Sequence, residues 1–348
     1  MSLRRVNFFS AVVIVALAVG AIFGADQPKI WESQEKQAYA LFVQGKFAEA
    51  EKEYRAVLAI QERVLGAEHP DTLMTRSNIA VMLDDQGKHT DAESEHRAVL
   101  AIRERTLGPE HRDCLASRMG LANALFDQGK YAESEKEHRA VLAIRQRREG
   151  ADHPETLKSQ VNLANALSRQ NKNADAEKEY RAALAILVRV RGAEHSDTLA
   201  ARTNLANALN AQGKNVEAEK ENRAVLAILE RVQGAEHPGT LECRNNLATV
   251  LNMQGKYAEA EKEHRMVLAS RERVFGPDHP DVFLSSFNLG LCLWDERKLK
   301  DALEFLRRAE DGFKRVLGTN HPYYKAAVRE REGIEAELKK QQAEERGK

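Results

Sequence analysis

A chain of 348 residues can hold two or three ordinary domains or one long array. Its 53 basic and 53 acidic side chains cancel, which argues against nucleic acid or another polyanion as partner. Three widely spaced cysteines, Cys114, Cys243 and Cys292, with no CxxC pair, argue against a disulfide framework and a structural zinc site.

The first element in the chain is apolar. Arg4 and Arg5 precede a nearly uncharged stretch from Phe8 to Phe23, followed by small residues and Asp26. This is the layout of a secretory signal, residues 1–25. The rival reading is an uncleaved membrane anchor over residues 6–25, a little short for a comfortable span. Both readings place the rest of the chain on the exported side of a membrane, as a periplasmic, secreted or anchored protein. Contact with the membrane itself is then limited to this segment, if uncleaved.

Beyond it the chain repeats. QGK recurs with its glycine at Gly45, Gly87, Gly129, Gly213 and Gly255, and Asn171 and Arg297 stand where the period of 42 predicts two further copies. Histidines recur in the same period at 69, 111, 153, 195, 237, 279 and 321, most followed by proline, and glycines at 66, 108, 150, 192, 234, 276 and 318. Each unit reads as two helices. Proline suits the first turn of the first helix, and the acid after it suits the positive helix end. In the second unit the first helix is expected over Pro70 to Asp85 and the second over Thr90 to Leu107, ending at Gly108. The opening pair begins less regularly near Lys29. The array spans residues 28–318, and residues 319–348 supply a capping helix, Pro322 to Lys340, and a charged tail.

The pattern NLAxxLxxQGKxxEAExxxRxxLAIxERxxGxxHPxT resembles tetratricopeptide repeats. The period of 42, the His-Pro turn and the LAI-x-ER ending resemble the repeats of kinesin light chain in particular. The resemblance implies an all-α fold: a right-handed superhelical solenoid of about seven helical hairpins with a concave groove. Grooves of this kind commonly hold an extended peptide of a partner. A generic unit has about 34 residues, so the longer period lengthens the second helix and its turn. The slot where generic repeats often carry tryptophan holds Arg76, Arg118, Arg202 and Arg244. No heptad region precedes the array, so the likeness extends to the scaffold and not to a transport role.

By that resemblance the first helix of each pair faces the groove. Six inward positions per helix, taken from the 3–4 spacing, hold 11 of the chain's 17 asparagines. Asparagine is a mediocre helix former, so this enrichment runs against propensity. An amide offers a donor and an acceptor together and can pair with the backbone of an extended peptide whatever its side chains. The candidate peptide-binding residues are Asn123, Asn165, Asn207, Asn210, Asn252, Asn162, Asn204, Asn246, Lys158 and Phe126. A structural reading competes at the position shared by Asn78, Asn162, Asn204, Asn246 and Asn288, where the amide is expected to bond the neighbouring repeat's backbone. Phe287 and Trp294 are either apolar anchors of the groove or packing for the capping helix.

The turn histidines stand one repeat apart, too far for shared metal coordination, and read as caps. His96, His138 and His264 read as semi-buried packing residues. No GxSxG, HExxH, GxGxxG or Walker motif occurs. The expected function is a non-catalytic scaffold for an unidentified protein or peptide, with no cofactor, no metal and no nucleic acid. The alternative is a self-associating structural envelope protein; an enzyme or metal sensor ranks below both.

Overall fold

The computed structural model describes residues 31–346; the apolar N-terminal segment and the start of the expected first helix lie outside them. Among the described residues there are fifteen helices and no strand. They form seven hairpins: α1 (Glu32–Val43) with α2 (Phe47–Val64), α3 (Pro70–Asp85) with α4 (His89–Leu107), α5 (Arg112–Asp127) with α6 (Tyr131–Arg148), and α7 (Pro154–Arg169) with α8 (Asn173–Arg191). The last three are α9 (Ser196–Ala211) with α10 (Asn215–Gln233), α11 (Pro238–Met253) with α12 (Tyr257–Phe275), and α13 (Pro280–Asp295) with α14 (Leu299–Leu317); α15 (Pro322–Arg346) follows. None of these helices is long and apolar enough to cross a membrane.

Each repeat marker has a physical job. The turn histidine is the N-cap of the first helix: His69 Nδ1 accepts the Asp71 N–H at 3.2 Å, and the same bond recurs at His111, His153, His195, His237 and His279. The turn glycine lies in the left-handed region (Gly87 φ 79°), so that the Lys88 N–H reaches back to the Leu83 carbonyl at 2.9 Å and closes the helix end. Asn171 (φ 60°) and Arg297 (φ 67°) take that conformation at the two turns without glycine.

The glutamine and lysine of QGK are more than turn residues. Gln128 and Lys130 both donate to Glu93 of the preceding hairpin at 2.8 Å. The same clamp joins Gln86 and Lys88 to Glu51, Gln170 and Lys172 to Glu135, and Gln254 and Lys256 to Glu219. The Lys130 ammonium is the main reason the Glu93 carboxyl falls to about 2, with Gln128 and Arg97 adding to it against the opposing effect of burial. At Glu135 burial pushes the other way most strongly, yet Lys172, Arg139 and Gln170 together still bring it to about 2.

The described residues divide into two compact units, one ending at Glu179 and the next starting at Tyr180, both inside α8. In the N-terminal unit the first helices α3 and α5 touch directly, and the core holds Tyr54, Ile79, Met82 and Leu83, then Leu100, Cys114, Leu121 and Leu125. In the C-terminal unit the first helices α9, α11 and α13 touch in series, and α13 touches α15. Its core runs through Leu226, Leu247 and Leu251 and ends on Leu289, Leu293, Leu306 and Ile334, where α15 closes the stack.

Both units also bury cations. Arg103 donates to Ser117 Oγ at 2.7 Å, Arg145 to Ser159 Oγ at 2.9 Å, and Arg271 to Ser285 Oγ at 2.9 Å. Each lies seven residues after a histidine, His96, His138 or His264, that is fully buried and not semi-buried as expected. Gly120 makes room for the first of these rings: a Cβ there would stand 2.4 Å from His96 Cε1. Burial, and then the charge of the neighbouring arginine, lowers His96 and His264 to about 4 and His138 to about 3.

Candidate functional site

The first helices carry the candidate residues. Asn123 and Phe126 stand on α5, and Lys158, Asn162 and Asn165 on α7, all in the N-terminal unit. Asn204, Asn207 and Asn210 stand on α9 and Asn246 and Asn252 on α11, in the C-terminal unit. Helical spacing keeps them off the core side. Asn207 is exposed, and Asn123, Asn165, Asn204, Asn210, Asn246 and Asn252 are half-buried. Asn162 is 7% exposed and offers little surface to a ligand.

Their hydrogen bonds separate them further. Asn123 and Asn207 make no side-chain hydrogen bond among the described residues, whereas Asn165, Asn204 and Lys158 are engaged. Asn252 donates to Asp295 Oδ2 at 2.6 Å, tying α11 to α13. The carbonyl oxygens of Asn210 and Asn252 are enclosed and accept nothing among the described residues, an arrangement that normally costs free energy unless a partner arrives. Of the shared asparagines, Asn288 donates to the Asn245 side-chain oxygen of the preceding hairpin at 3.0 Å.

The aromatic candidates divide as well. Phe126 meets Tyr131 edge-on at 5.3 Å, and Arg169 lies over the Tyr131 ring while donating to its hydroxyl at 2.9 Å. This aromatic and cationic group sits beside the amides of α5 and α7. Phe287 and Trp294 instead pack against the cluster that includes Ile334 of α15, and the Trp294 indole N–H donates to Glu337 at 2.8 Å. They belong to the cap.

One group was not legible as a group in the sequence. Asp84 at the end of α3, His89 at the start of α4 and Asp127 at the end of α5 converge, with one donor atom from each within 4.8 Å of the others. His89 Nδ1 lies 2.8 Å from Asp84 Oδ1. Burial raises Asp84 to about 7 against the opposing bond from His89, and the charge of Asp127 pushes it the same way as burial. Asp84 and Asp127 both fall on inward positions by the 3–4 spacing. The signal for His89 was its register: the other hairpins place Phe47, Tyr131, Asn173, Asn215, Tyr257 and Leu299 there.

Comparison with known proteins matches this architecture. The sequence profile described as tetratricopeptide repeat matches residues 32–105, 113–189, 197–272 and 244–315. A solved kinesin light chain-like protein of Podosopora anserina, with nearly identical TPR-like repeats, is 30% identical, with TM-score 0.53, over 60% of this chain and 99% of that one. RapI in its apo form is 14% identical, with TM-score 0.62, over 82% of this chain and 98% of that one. NprR in complex with its cognate peptide NprX is 14% identical, with TM-score 0.58, over 92% of this chain and 89% of that one. The last two likenesses show the fold alone. No curated protein matches the chain.

Proposed function

The chain belongs to the tetratricopeptide repeat family, and on that premise we propose that it is a non-catalytic interaction scaffold whose first helices hold an extended peptide segment of a partner. One observation carries this reading. Consecutive first helices present neutral amides on their non-core side, including Asn207, which is exposed and unbonded among the described residues, and Asn210 and Asn252, whose carbonyl oxygens lack a donor. Such amides can accept from and donate to a peptide backbone with little regard to its side chains. Asn123, one turn before Phe126 on α5, offers the same chemistry in the N-terminal unit. The presence of a cognate peptide on the fold neighbour NprR supports the reading.

The test is a selection of linear peptides from a random library on the full chain, followed by calorimetry. Asn207→Ala with Asn252→Ala should weaken the selected peptides by on the order of tenfold, about 1.4 kcal/mol, with the fold intact by circular dichroism. Equal affinity for the parent and the double variant would refute it. The basic residues Arg4 and Arg5 before the apolar stretch support an exported location for the scaffold.

A second reading, self-association with another copy, draws on a row of exposed valines at the ends of α10, α12 and α14 in the C-terminal unit: Val232, Val274 and Val316 are 54%, 42% and 41% exposed. A clean monomer by mass photometry would remove it.

A further inference from the structure

The cluster of Asp84, His89 and Asp127 has no part in the peptide reading. Three observations point to a ligand for it. First, the donor set converges: an imidazole nitrogen and two carboxylate oxygens lie within 4.8 Å of one another, from three different helices. Second, the carboxylates have no strong cation beside them. Among the described residues neither carboxylate pairs with a lysine or arginine, and the one ion-pairing group at 4 Å or less is His89, 2.8 Å from Asp84. Asp84 is mostly buried, so its charge is poorly solvated. Third, the array itself is a control. The register slot of Asp84 holds Phe126, Ser168, Asn210 and Asn252 in other hairpins, and no other hairpin has an acid there or a histidine in the slot of His89. Building a hairpin therefore does not require this pair.

We propose that Asp84, His89 and Asp127 form a binding site for a divalent first-row transition cation, Zn²⁺ being the representative. Zinc bonds to imidazole nitrogen and carboxylate oxygen are about 2.0–2.2 Å long, which puts tetrahedral donors roughly 3.3 Å apart. The three donors need only close in, and Asp127 is exposed at the end of α5. The imidazole favours zinc, cobalt or nickel over magnesium or calcium. Three protein donors leave a coordination position for water or for a group of a bound molecule. The turn histidines do not offer the same site: their Nδ1 atoms accept the helix-capping bonds.

The test is isothermal titration of the full chain with ZnCl₂, alongside Asp84→Asn and His89→Asn. Asparagine already occupies these slots in other hairpins, at Asn210 and Asn173, so both variants should fold, and circular dichroism checks that they do. One Zn²⁺ per chain is expected, with affinity lowered on the order of tenfold or more in each variant. Zn²⁺ should also raise the melting temperature of the parent more than that of either variant. No uptake by the parent at micromolar zinc, or equal uptake by parent and folded variants, would overturn the proposal; the second result would place the metal on other surface histidines.

Discussion

His138 provides a direct test of how the second helices are packed. It is fully buried, its Nδ1 has no hydrogen-bond partner among the described residues, and its pKa is lowered to about 3 by burial and by Arg145. The folded value lies below the ordinary 6.5, so the unfolded chain binds the proton more readily. The stability tied to the neutral ring is therefore complete above 6.5 and is lost as pH falls toward 3. At about pH 5 the loss is roughly 2 kcal/mol for this one group, from 0.59 kcal/mol times the logarithm of the proton-binding ratio. The perturbation is His138→Tyr, because Tyr54 and Tyr180 fill the same register slot. Urea unfolding of parent and variant, followed by circular dichroism at about pH 7.5 and about pH 5, measures the loss in each. The variant should lose about 2 kcal/mol less. Other groups cancel in this difference: Asp84, raised to about 7, works in the opposite direction but is common to both proteins. The clamp glutamates, Glu93 and Glu135, begin to lose their contribution only below the ordinary 4.5, as pH falls toward 2. Equal pH dependence in the two proteins would show that the ring is solvated and that the packing argument is wrong.

Two further outcomes follow from the same packing. Ser159→Ala removes the hydroxyl that accepts from Arg145 and should cost about 1–3 kcal/mol in urea unfolding; adding Arg145→Leu should recover most of it, because Leu187 and Ala201 fill the same two slots. Gly333→Ala would bring a Cβ to 2.7 Å from Trp294 Cη2 and should cost about 1–3 kcal/mol, with a shift in tryptophan fluorescence as the indole is displaced from Glu337.

The hairpins were readable because their signals are local. Proline after histidine, glycine in a left-handed turn and apolar spacing each act within one helix or one turn, and α3 spans the expected Pro70–Asp85. The clamp was not read because it joins residues 35 to 37 positions apart, such as Glu93 with Gln128 and Lys130. Sequence spacing alone does not say that a turn lysine reaches back one repeat. The amide face was legible as a helical stripe, but the engagement of each amide was not. Asn252 and Asp295 meet only because α11 and α13 lie side by side. The place of Trp294 was open for the same reason: its partners lie on α15, beyond the last repeat.

Variation among the seven hairpins then sorts itself by contact. The slots of residues 96, 103 and 117 change together: His96, Arg103 and Ser117 recur as His138, Arg145 and Ser159 and as His264, Arg271 and Ser285. Elsewhere they become Tyr180, Leu187 and Ala201, or Leu306, Phe313 and Ala327. A guanidinium in the core needs the hydroxyl beside it, and an aliphatic side chain does not, so the slots covary because they touch. The slot of Asp84 also touches the slot five residues on, as Phe42 with Phe47, Phe126 with Tyr131 and Ser168 with Asn173, but the chemistry of the pair changes from hairpin to hairpin. It passes from Phe126 through Ser168 and Asn252 to Trp294 while the core around each hairpin keeps its leucines and alanines. Phe126 packs on Tyr131 and Trp294 on the cluster closed by α15, whereas Ser168 and Asn252 make polar contacts to Asn173 and Asp295. Differences that the fold does not require are where binding chemistry can be placed without cost to the array. Among the described residues, Asp84 converges there with His89 and Asp127, and Asn210 and Asn252 carry unmet acceptors there.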